Sequence, residues 1–213
     1  RKEGENESHL CHLVRNDSID EFISYVNKKN LSLSSKIEQS FFETNIYLDN
    51  FIDLDFHETK NEPTLIEYAS FFGSVQIFRY LYKNGVELKP YLLYYAIHGK
   101  NPELINILEE NGIKPDNNEF YRNCIKESIK CHHNEIIEYF QNNYQQFQEE
   151  NSNDFFVDSL HYYNFASITN SERDFLPYFF YFCEYDYFSI VKFLLSNSQL
   201  NINEKKVFII FKI

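Results

Sequence analysis

Apolar residues recur every three to four positions along much of this chain, a spacing that predicts amphipathic helices. The stretch TLIEYASFFGSVQIFRYLYKNG, residues 64–85, keeps this spacing on both sides of Gly73. Glycine readily interrupts a helix, and the closing Asn84-Gly85 pair is typical of a helix end. We therefore predict two short helices joined at Gly73 instead of one long helix.

This two-helix pattern returns along the chain. Its equivalent positions are residues 69, 96, 128 and 182, which lie 27, 32 and 54 residues apart. Because the last interval is twice the first, we expect a degenerate copy at residues 159–170. A further copy lies at residues 13–30, where Ile19, Phe22 and Val26 form the apolar stripe. One hairpin of this size cannot bury its aromatic face alone, so neighbouring copies are expected to stack.

Local signals mark several helix ends and turns. Asn101 can cap a helix that starts with Pro102, and Gly85 and Gly112 offer the left-handed backbone that ends one. The residues that replace Gly73 in the later copies are Lys100, His132 and Asp186. Because none of them is glycine, we predict that the later turns are built differently from the turn at Gly73.

The copies resemble the ankyrin family, whose repeats have a period of about 33 residues and begin with T-P-L-H-x-A. In TLIEYAS, Thr64, Ile66 and Ala69 keep the family's residue types, whereas Leu65 and Glu67 replace its proline and histidine. The following ASFFGSVQIFRYLYKNGVEL is similar to the family's turn, second helix and closing glycine. This copy matches the family pattern closely, and the others are degenerate.

The resemblance implies an all-α fold, a solenoid of stacked helix-turn-helix (ankyrin-like) repeats. The chain is similar to divergent ankyrin proteins of parasitic protists, in which a related helical region precedes the repeats. The implied organisation is an N-terminal helical region at 1–61, ankyrin-like repeats at 62–145, and a degenerate repeat followed by the last ankyrin-like repeat at 146–213.

The β-fingers that join ankyrin repeats are expected to be short or missing in this chain. The 11 residues from Gly85 to Ala96 are too few for a finger. The 16 residues from Gly112 to Ser128 are enough for one. At least one missing finger would change any binding site carried over from ordinary ankyrin repeats.

In the ankyrin family, partners are bound at the end of the first helix of each repeat, on the concave side. The residues that the resemblance places there are Phe71, Phe72, His98, Gly99, Lys130, Cys131, Glu184 and Tyr185. The pair Phe71-Phe72 is the strongest candidate, because exposed aromatic side chains often anchor a protein partner. The alternative is that one or both rings pack against the preceding repeat.

Composition agrees with the helical class and narrows the partners. The 22 phenylalanines and 17 tyrosines among 213 residues predict a core of bulky aromatic side chains. The formal net charge of −12 disfavours nucleic acid and anionic lipid, and it favours protein partners with basic or neutral surfaces. No stretch approaches the roughly 20 consecutive apolar residues that membrane insertion requires. We expect a monomeric, cytoplasmic protein.

The two ends of the chain give weaker signals. The sequence contains no methionine, even at position 1, which suggests that it is a segment of a longer protein. The last stretch, KKVFIIFKI at residues 205–213, is apolar and β-prone. We expect it to be covered by the stack, to be continued by further sequence, or to be prone to aggregation.

No motif for phosphate binding, zinc proteolysis or serine hydrolysis occurs in the chain. The sharpest cluster of metal-ligand types is Cys124, Cys131, His132 and His133, and a weaker one is HLCH at residues 9–12. The simpler interpretation makes the cysteines core residues and the histidines part of a polar turn. We therefore expect a non-catalytic protein-protein interaction scaffold or adaptor without cofactor or metal. Two alternatives remain: a structural spacer within a longer repeat array, and a metal-dependent enzyme that uses the Cys and His groups.

Overall fold

A computed structural model describes residues 6–38, 62–147, 152–168 and 175–197. Within these residues the chain is all-α, which confirms the predicted class, and no β-strand is present. The chain divides into two compact units, residues 1–116 and residues 117–213, which are described separately below. The predicted apolar segment at 205–213 lies outside the described residues. None of the described helices has the length and the apolar composition that crossing a bilayer requires.

Six helices form the described part of the first unit. Their bounds are α1 His9–Arg15, α2 Ile19–Lys29, α3 Leu65–Phe71, α4 Val75–Lys83, α5 Leu92–His98 and α6 Pro102–Glu110. They pair as hairpins, α1 with α2, α3 with α4 and α5 with α6. Helix α3 also packs against α1 and α5, and α2 packs against α4. The two helices predicted for residues 64–85 are α3 and α4.

Sequence signals explain where these helices begin and end. Thr64 and Glu67 form a capping box at the start of α3, with the Thr64 N–H donating to a Glu67 carboxylate oxygen over 2.7 Å. Asn101 accepts hydrogen bonds from the first turn of α6, as predicted. After α4 and α6 the chain turns at Gly85 and Gly112, with φ of 86° and 84°. These left-handed angles confirm the predicted stops.

The prediction that the later hairpin turns are built differently is wrong. The residue at the turn has a positive φ in every described hairpin: Asp17 50°, Gly73 70°, Lys100 48°, His132 57°, Tyr163 55° and Asp186 59°. In five of these turns the next residue donates its N–H to the carbonyl five positions earlier, as Ser74 does to Ala69. The same backbone path is therefore used with and without glycine. Asparagine, aspartate and histidine adopt left-handed backbone angles more often than other non-glycine residues. This preference explains His132 and Asp186, two of the three residues that replace Gly73 in the later copies.

Two glycines allow neighbouring turns of the first unit to approach closely. A Cβ atom on Gly99 would lie 2.7 Å from the Ser70 carbonyl oxygen and 2.8 Å from the Gly73 nitrogen. A Cβ atom on Gly73 would lie 2.9 Å from the Gly99 carbonyl oxygen. The Asn101 amide also donates to the Gly73 carbonyl over 3.1 Å. The α3–α4 and α5–α6 hairpins therefore meet backbone to backbone at their turns.

A side chain from one hairpin caps a helix of the next. Ser74 precedes α4 but its side chain makes no cap; its hydroxyl instead donates to the Val14 carbonyl over 2.6 Å. The Asp17 carboxylate accepts from the N–H groups of Gln76 at 3.0 Å and Ile77 at 2.9 Å. The turn of the α1–α2 hairpin thus supplies the N-terminal cap of α4.

The Asp17 cap can be tested without disturbing the turn. Glycine accepts the left-handed angle at this position, so we expect Asp17→Gly to lower the free energy of unfolding by about 1–2 kcal/mol through loss of the cap. Asp17→Asn loses the charge but keeps one of the two acceptor oxygens, so its cost should be smaller, roughly 0.5–1 kcal/mol. Urea unfolding followed by circular dichroism measures both values. Equal costs for the two variants would contradict a capping role.

Five α-helices form most of the described part of the second unit. Their bounds are α7 Asn118–Lys130, α8 Asn134–Asn143, α9 Ser152–His161, α10 Phe179–Glu184 and α11 Phe188–Asn197. Short 3-10 helices lie at Gln145–Phe147, Phe165–Ile168 and Leu176–Tyr178, and the second of these follows α9 after the turn at Tyr163. Helix α7 packs against α8 and α9, and α10 packs against α9 and α11. One buried cluster consists of Phe156, Leu160, Phe182, Tyr187 and Leu194. In this cluster the Tyr187 hydroxyl donates to the Leu160 carbonyl over 2.7 Å.

No β-finger is present in the described connections between hairpins. Residues 84–91 join α4 to α5 and residues 111–117 join α6 to α7 without any strand. The interval from Gly112 to Ser128, which is long enough for a finger, instead extends α7 at its start. Asn117 caps α7 by accepting the Phe120 N–H over 2.8 Å. The cap explains why the added residues are helical.

Candidate functional site

The predicted binding residues occupy one structural position in their hairpins. Each pair lies at the end of the first helix, directly before the left-handed turn residue. By the same rule, Arg15-Asn16 precedes Asp17, and His161-Tyr162 precedes Tyr163. We call Arg15, Phe71, Phe72 and His98 the rim of the first unit, and Lys130, His161, Tyr162 and Tyr185 the rim of the second.

In the first rim, Phe72 packs towards the preceding hairpin. Its ring centroid lies 4.7 Å from that of the buried Tyr68. The Arg15 guanidinium lies over the same ring, 5.8 Å from its centroid. Arg15 also donates to the Tyr68 hydroxyl at 2.6 Å and to the Asn6 carbonyl at 2.7 Å. Phe72 therefore contacts the preceding hairpin, as the alternative interpretation proposed for one or both rings.

Phe71 packs towards the following hairpin and remains half-buried. Its ring stacks on the His98 imidazole, with centroids 5.1 Å apart and an interplanar angle of 24°. It meets Tyr95 edge to face at 6.2 Å and Phe72 at 5.1 Å. The structure thus brings together Phe71, Phe72 and His98, with Gly99 next to His98. Phe71 joins the two hairpins through ring contacts that leave part of its surface open to solvent.

The second rim repeats this kind of contact with other residues. The Lys130 ammonium lies over the Tyr162 ring, 6.0 Å from its centroid. His161 meets the Tyr185 ring edge to face at 4.9 Å and the Tyr162 ring at 4.5 Å. The Tyr163 hydroxyl donates to the Tyr185 carbonyl over 3.0 Å. In both units, a cationic or imidazole side chain from one hairpin lies against an aromatic ring of the next.

The remaining predicted residues of the second unit have different surroundings. Glu184 is exposed at the end of α10. Burial lowers the pKa of the half-buried Lys130, while the Glu127 carboxylate, 3.9 Å from its ammonium, raises that pKa. Burial raises the pKa of Tyr162, and Asp158 adds to the rise. Lys130 and Tyr162 therefore share a partly desolvated position, where a cation–ring contact is strengthened.

Cys131 is a protonated thiol and not a reactive one. Burial raises its pKa from 9.0 to about 12, and the Glu127 carboxylate adds to the rise. Because the pKa is higher in the folded chain, the unfolded chain loses this proton first as the pH rises. The stability that Cys131 contributes is thus complete below pH 9.0 and is lost as the pH rises to about 12.

The titration of Cys131 makes a measurable difference at alkaline pH. We expect the urea midpoint of the wild-type chain to fall between pH 9.0 and about 11 more steeply than that of Cys131→Ala, in reducing buffer. Circular dichroism reports the midpoint. The tyrosines with raised pKa values contribute equally to both chains and cancel in the comparison. Parallel pH curves would contradict the burial of this thiol.

The four residues of metal-ligand types at Cys124, Cys131, His132 and His133 have different surroundings. Cys124 is fully buried in α7, whereas His132 is exposed at the turn. In the described part of the chain, no three of Cys124, Cys131, His132 and His133 place their ligand atoms close enough to share an ion. This arrangement agrees with the simpler interpretation, a core cysteine beside a polar turn.

Sequence reasoning missed three rim residues, Arg15, His161 and Tyr162. The signal for them was present, because the copies at residues 13–30 and 159–170 had been recognised. Applying the rule for the end of the first helix to these two copies would have identified all three.

Both rims combine aromatic rings with cationic or imidazole side chains. Half-buried rings offer apolar surface held in place by neighbouring hairpins, and the adjacent cations orient polar groups of a ligand. Cys131, which follows Lys130 of the second rim, is a weak nucleophile at neutral pH because burial raises the pKa of its thiol to about 12. The chain matches no protein-family model, and comparison with curated proteins and with solved structures gives no match either.

Proposed function

We propose that this chain is a non-catalytic protein-binding scaffold made of stacked ankyrin-like helical hairpins. The observation that carries the proposal is the half-buried Phe71 ring, stacked on His98 at the ends of α3 and α5. A ring held by two hairpins and only partly buried loses little conformational freedom when it enters a pocket of a partner. Such rigid aromatic side chains are the usual anchors of protein interfaces.

Two features support the ankyrin-like assignment. All six described hairpins turn at a left-handed residue, and the ankyrin resemblance predicts such a turn at Gly73. In the first unit, successive hairpins pack first helix on first helix, with α3 between α1 and α5. This packing is what a stack of repeats requires, since each repeat buries the face that its neighbour exposes.

The partner surface is proposed to be neutral or basic overall, with an apolar pocket for Phe71. The net charge of −12 acts at long range and repels acidic proteins. At short range the rim itself carries the Arg15 guanidinium, which favours a carboxylate or carbonyl group beside the apolar pocket. A single acidic side chain or backbone carbonyl on a largely neutral surface satisfies both conditions.

The test compares two aromatic residues that each pair with a histidine. Tyr25 on α2 meets His9 with ring centroids 5.1 Å apart, the same separation as in the Phe71–His98 pair, but it does not lie at the rim. Wild type, Phe71→Ala and Tyr25→Ala serve as baits, with bound proteins quantified by mass spectrometry. Some proteins will be captured in equal amounts by the wild-type and Tyr25→Ala baits. We expect the Phe71→Ala bait to capture about tenfold less of these proteins.

The controls separate binding from folding. Thermal melting followed by circular dichroism must show that Phe71→Ala is folded at the assay temperature. Equal partner lists for all three baits would contradict a binding role of the rim. That result would favour the structural spacer, because the contact of Arg15 with the Phe72 ring joins two hairpins of the chain itself.

A further inference from the structure

A cavity of about 220 Å³ lies beside the start of α3 in the first unit. Its walls come from residues between α2 and α3, from the first turn of α3, and from the path that leads out of α4 into α5. The apolar side chains in its lining, Ile66, Val86 and Leu92, are buried, whereas Ser34 and Lys89 are exposed. The cavity is therefore a recess with an apolar interior and an edge that is open to solvent. Its described lining includes no rim residue, so its role is independent of the proposed function.

The Glu67 carboxylate lies in the wall of this cavity, and the residue is only 3% exposed. One carboxylate oxygen, Oε2, accepts the Thr64 N–H of the capping box over 2.7 Å. Within the described part of the chain, the other oxygen accepts no hydrogen bond and the carboxylate forms no ion pair. Buried charges are normally paired, because an unpaired charge is costly to remove from water. Glu67 therefore offers an unused acceptor oxygen to a molecule in the cavity.

The charges of the lining favour a cationic ligand. Glu87 and Lys89 also line the cavity, and both are exposed. Together with Glu67 they give two carboxylates and one ammonium. The Lys89 ammonium lies over the Tyr91 ring, 5.9 Å from its centroid. Because charges interact more strongly away from water, the buried Glu67 contributes more to ligand binding than the two exposed groups do.

We propose that this cavity binds a primary ammonium group at the end of an unbranched aliphatic chain, the chemistry of a lysine side chain. The ammonium donates to the unused oxygen of Glu67. The methylene groups pack on Ile66, Val86 and Leu92, in the way that lysine side chains commonly bury their stems while the charged end finds a polar partner.

The geometry of the carboxylate and the size of the cavity both narrow the ligand. A guanidinium prefers to meet both oxygens of a carboxylate, and the Thr64 N–H already occupies Oε2 of Glu67. An ammonium is a compact charge that needs only one oxygen, so a lysine-type group fits better than an arginine side chain. Pockets for drug-sized ligands usually measure about 300–1,000 Å³. The smaller volume of this cavity, about 220 Å³, suits one side chain.

The probe is Nα-acetyl-lysine methylamide, whose only charge is the side-chain ammonium. NMR titration of the isotope-labelled full chain follows the backbone signals of residues 86–92, which line the cavity or adjoin its lining. We expect saturable shifts with a dissociation constant of about 1 mM, which is usual for a ligand of this size. The Nε-acetylated form of the probe keeps the aliphatic chain and loses the charge. We expect it to bind at least about tenfold more weakly.

Two variants test the role of the buried carboxylate. Glu67→Gln removes the charge but keeps the capping box, which forms with glutamine as well as with glutamate. We expect it to weaken binding of the lysine probe by at least about tenfold. Glu21→Gln removes the same charge from an exposed position on α2 and should leave binding unchanged.

A second ligand identifies the source of the ammonium group. Cadaverine is a free diamine with the same aliphatic chain as lysine. Tighter binding of the lysine probe than of cadaverine assigns the cavity to lysine side chains of proteins, and the reverse order assigns it to free diamines. Either order supports an ammonium site.

Three results would overturn the proposal. These are the absence of saturable shifts, equal binding of the lysine probe and its Nε-acetylated form, and equal effects of Glu67→Gln and Glu21→Gln. The comparison of the two probes uses the wild-type chain alone, so it decides the outcome even if Glu67→Gln fails to fold. The Phe71→Ala chain should bind the lysine probe as wild type does, which separates this site from the rim.

Discussion

A Gly73→Ala substitution is expected to lower the free energy of unfolding by about 2–4 kcal/mol, because it combines two separate costs. Alanine in the left-handed region costs about 1–2 kcal/mol. The new Cβ would also lie 2.9 Å from the Gly99 carbonyl oxygen, a backbone atom that no rotamer change can move away. Such overpacking costs roughly 1–3 kcal/mol.

Two other glycines isolate the two costs. Gly99 has ordinary helical angles, with φ of −65°, so Gly99→Ala pays only for the clash with Ser70 and Gly73. Gly85 has φ of 86° and no atom within 4 Å of its would-be Cβ, so Gly85→Ala pays only for the backbone angle. Urea unfolding followed by circular dichroism ranks the three variants. If Gly99→Ala proves neutral, the close approach of the two hairpin turns is wrong.

A Phe78→Ala substitution is expected to destabilise the chain most, by about 3–5 kcal/mol, the usual cost of removing a buried phenyl ring. Phe78 is fully buried on the inner face of α4, beside Ile77 and Leu81. The surrounding helices are short and bulky side chains hold them apart, so the cavity should close only in part. Urea unfolding followed by circular dichroism gives the value.

The matched variant is Phe71→Ala, the same chemical change seven positions earlier. Because Phe71 is half-buried, its ring buries less apolar area on folding than the ring of Phe78 does. We therefore expect its removal to cost about 1–2 kcal/mol. The difference between the two variants separates a core phenylalanine from a surface one. Equal losses would assign Phe71 to the core and remove the main support for a binding rim.

The helix boundaries were predictable because their causes are local. An asparagine before a proline starts α6. Glycines with left-handed backbone angles follow α4 and α6 and end these two helices. The apolar spacing of residues 64–85 predicted two helices for the same reason. Each of these signals acts within one turn of helix, so a single sequence contains all the information needed.

The hairpin turns were mispredicted because stacking outweighs local preference. Lys100 and Tyr163 adopt the left-handed angle at a cost of about 1–2 kcal/mol, and tertiary contacts at the turn offset it. Asparagine, aspartate and histidine tolerate the angle better, which the sequence reasoning did not weigh for His132 and Asp186. Among the glycines in the described part of the chain, Gly73 and Gly99 are the two at which a neighbouring backbone leaves no room for a Cβ.

Contacts between hairpins were the least predictable features. Asp17 caps a helix that begins 58 residues later, and nothing near Asp17 in the sequence indicates this partner. The rim was predictable in part. Position before the turn placed Phe71 and His98 on the same rim, but only the fold shows that their rings stack. Residue position within a repeat was predictable, and distance between repeats was not.

The most direct measurement of the proposed function is photo-crosslinking from the rim. The photoreactive residue p-benzoyl-phenylalanine replaces Phe71 in one chain and Tyr25 in a matched control chain. We expect a defined crosslinked protein from position 71 and none from position 25, with the crosslink suppressed by excess unlabelled wild-type chain but not by excess Phe71→Ala chain. Crosslinks of equal yield from both positions, or suppression by both competitors, would contradict a binding site centred on Phe71.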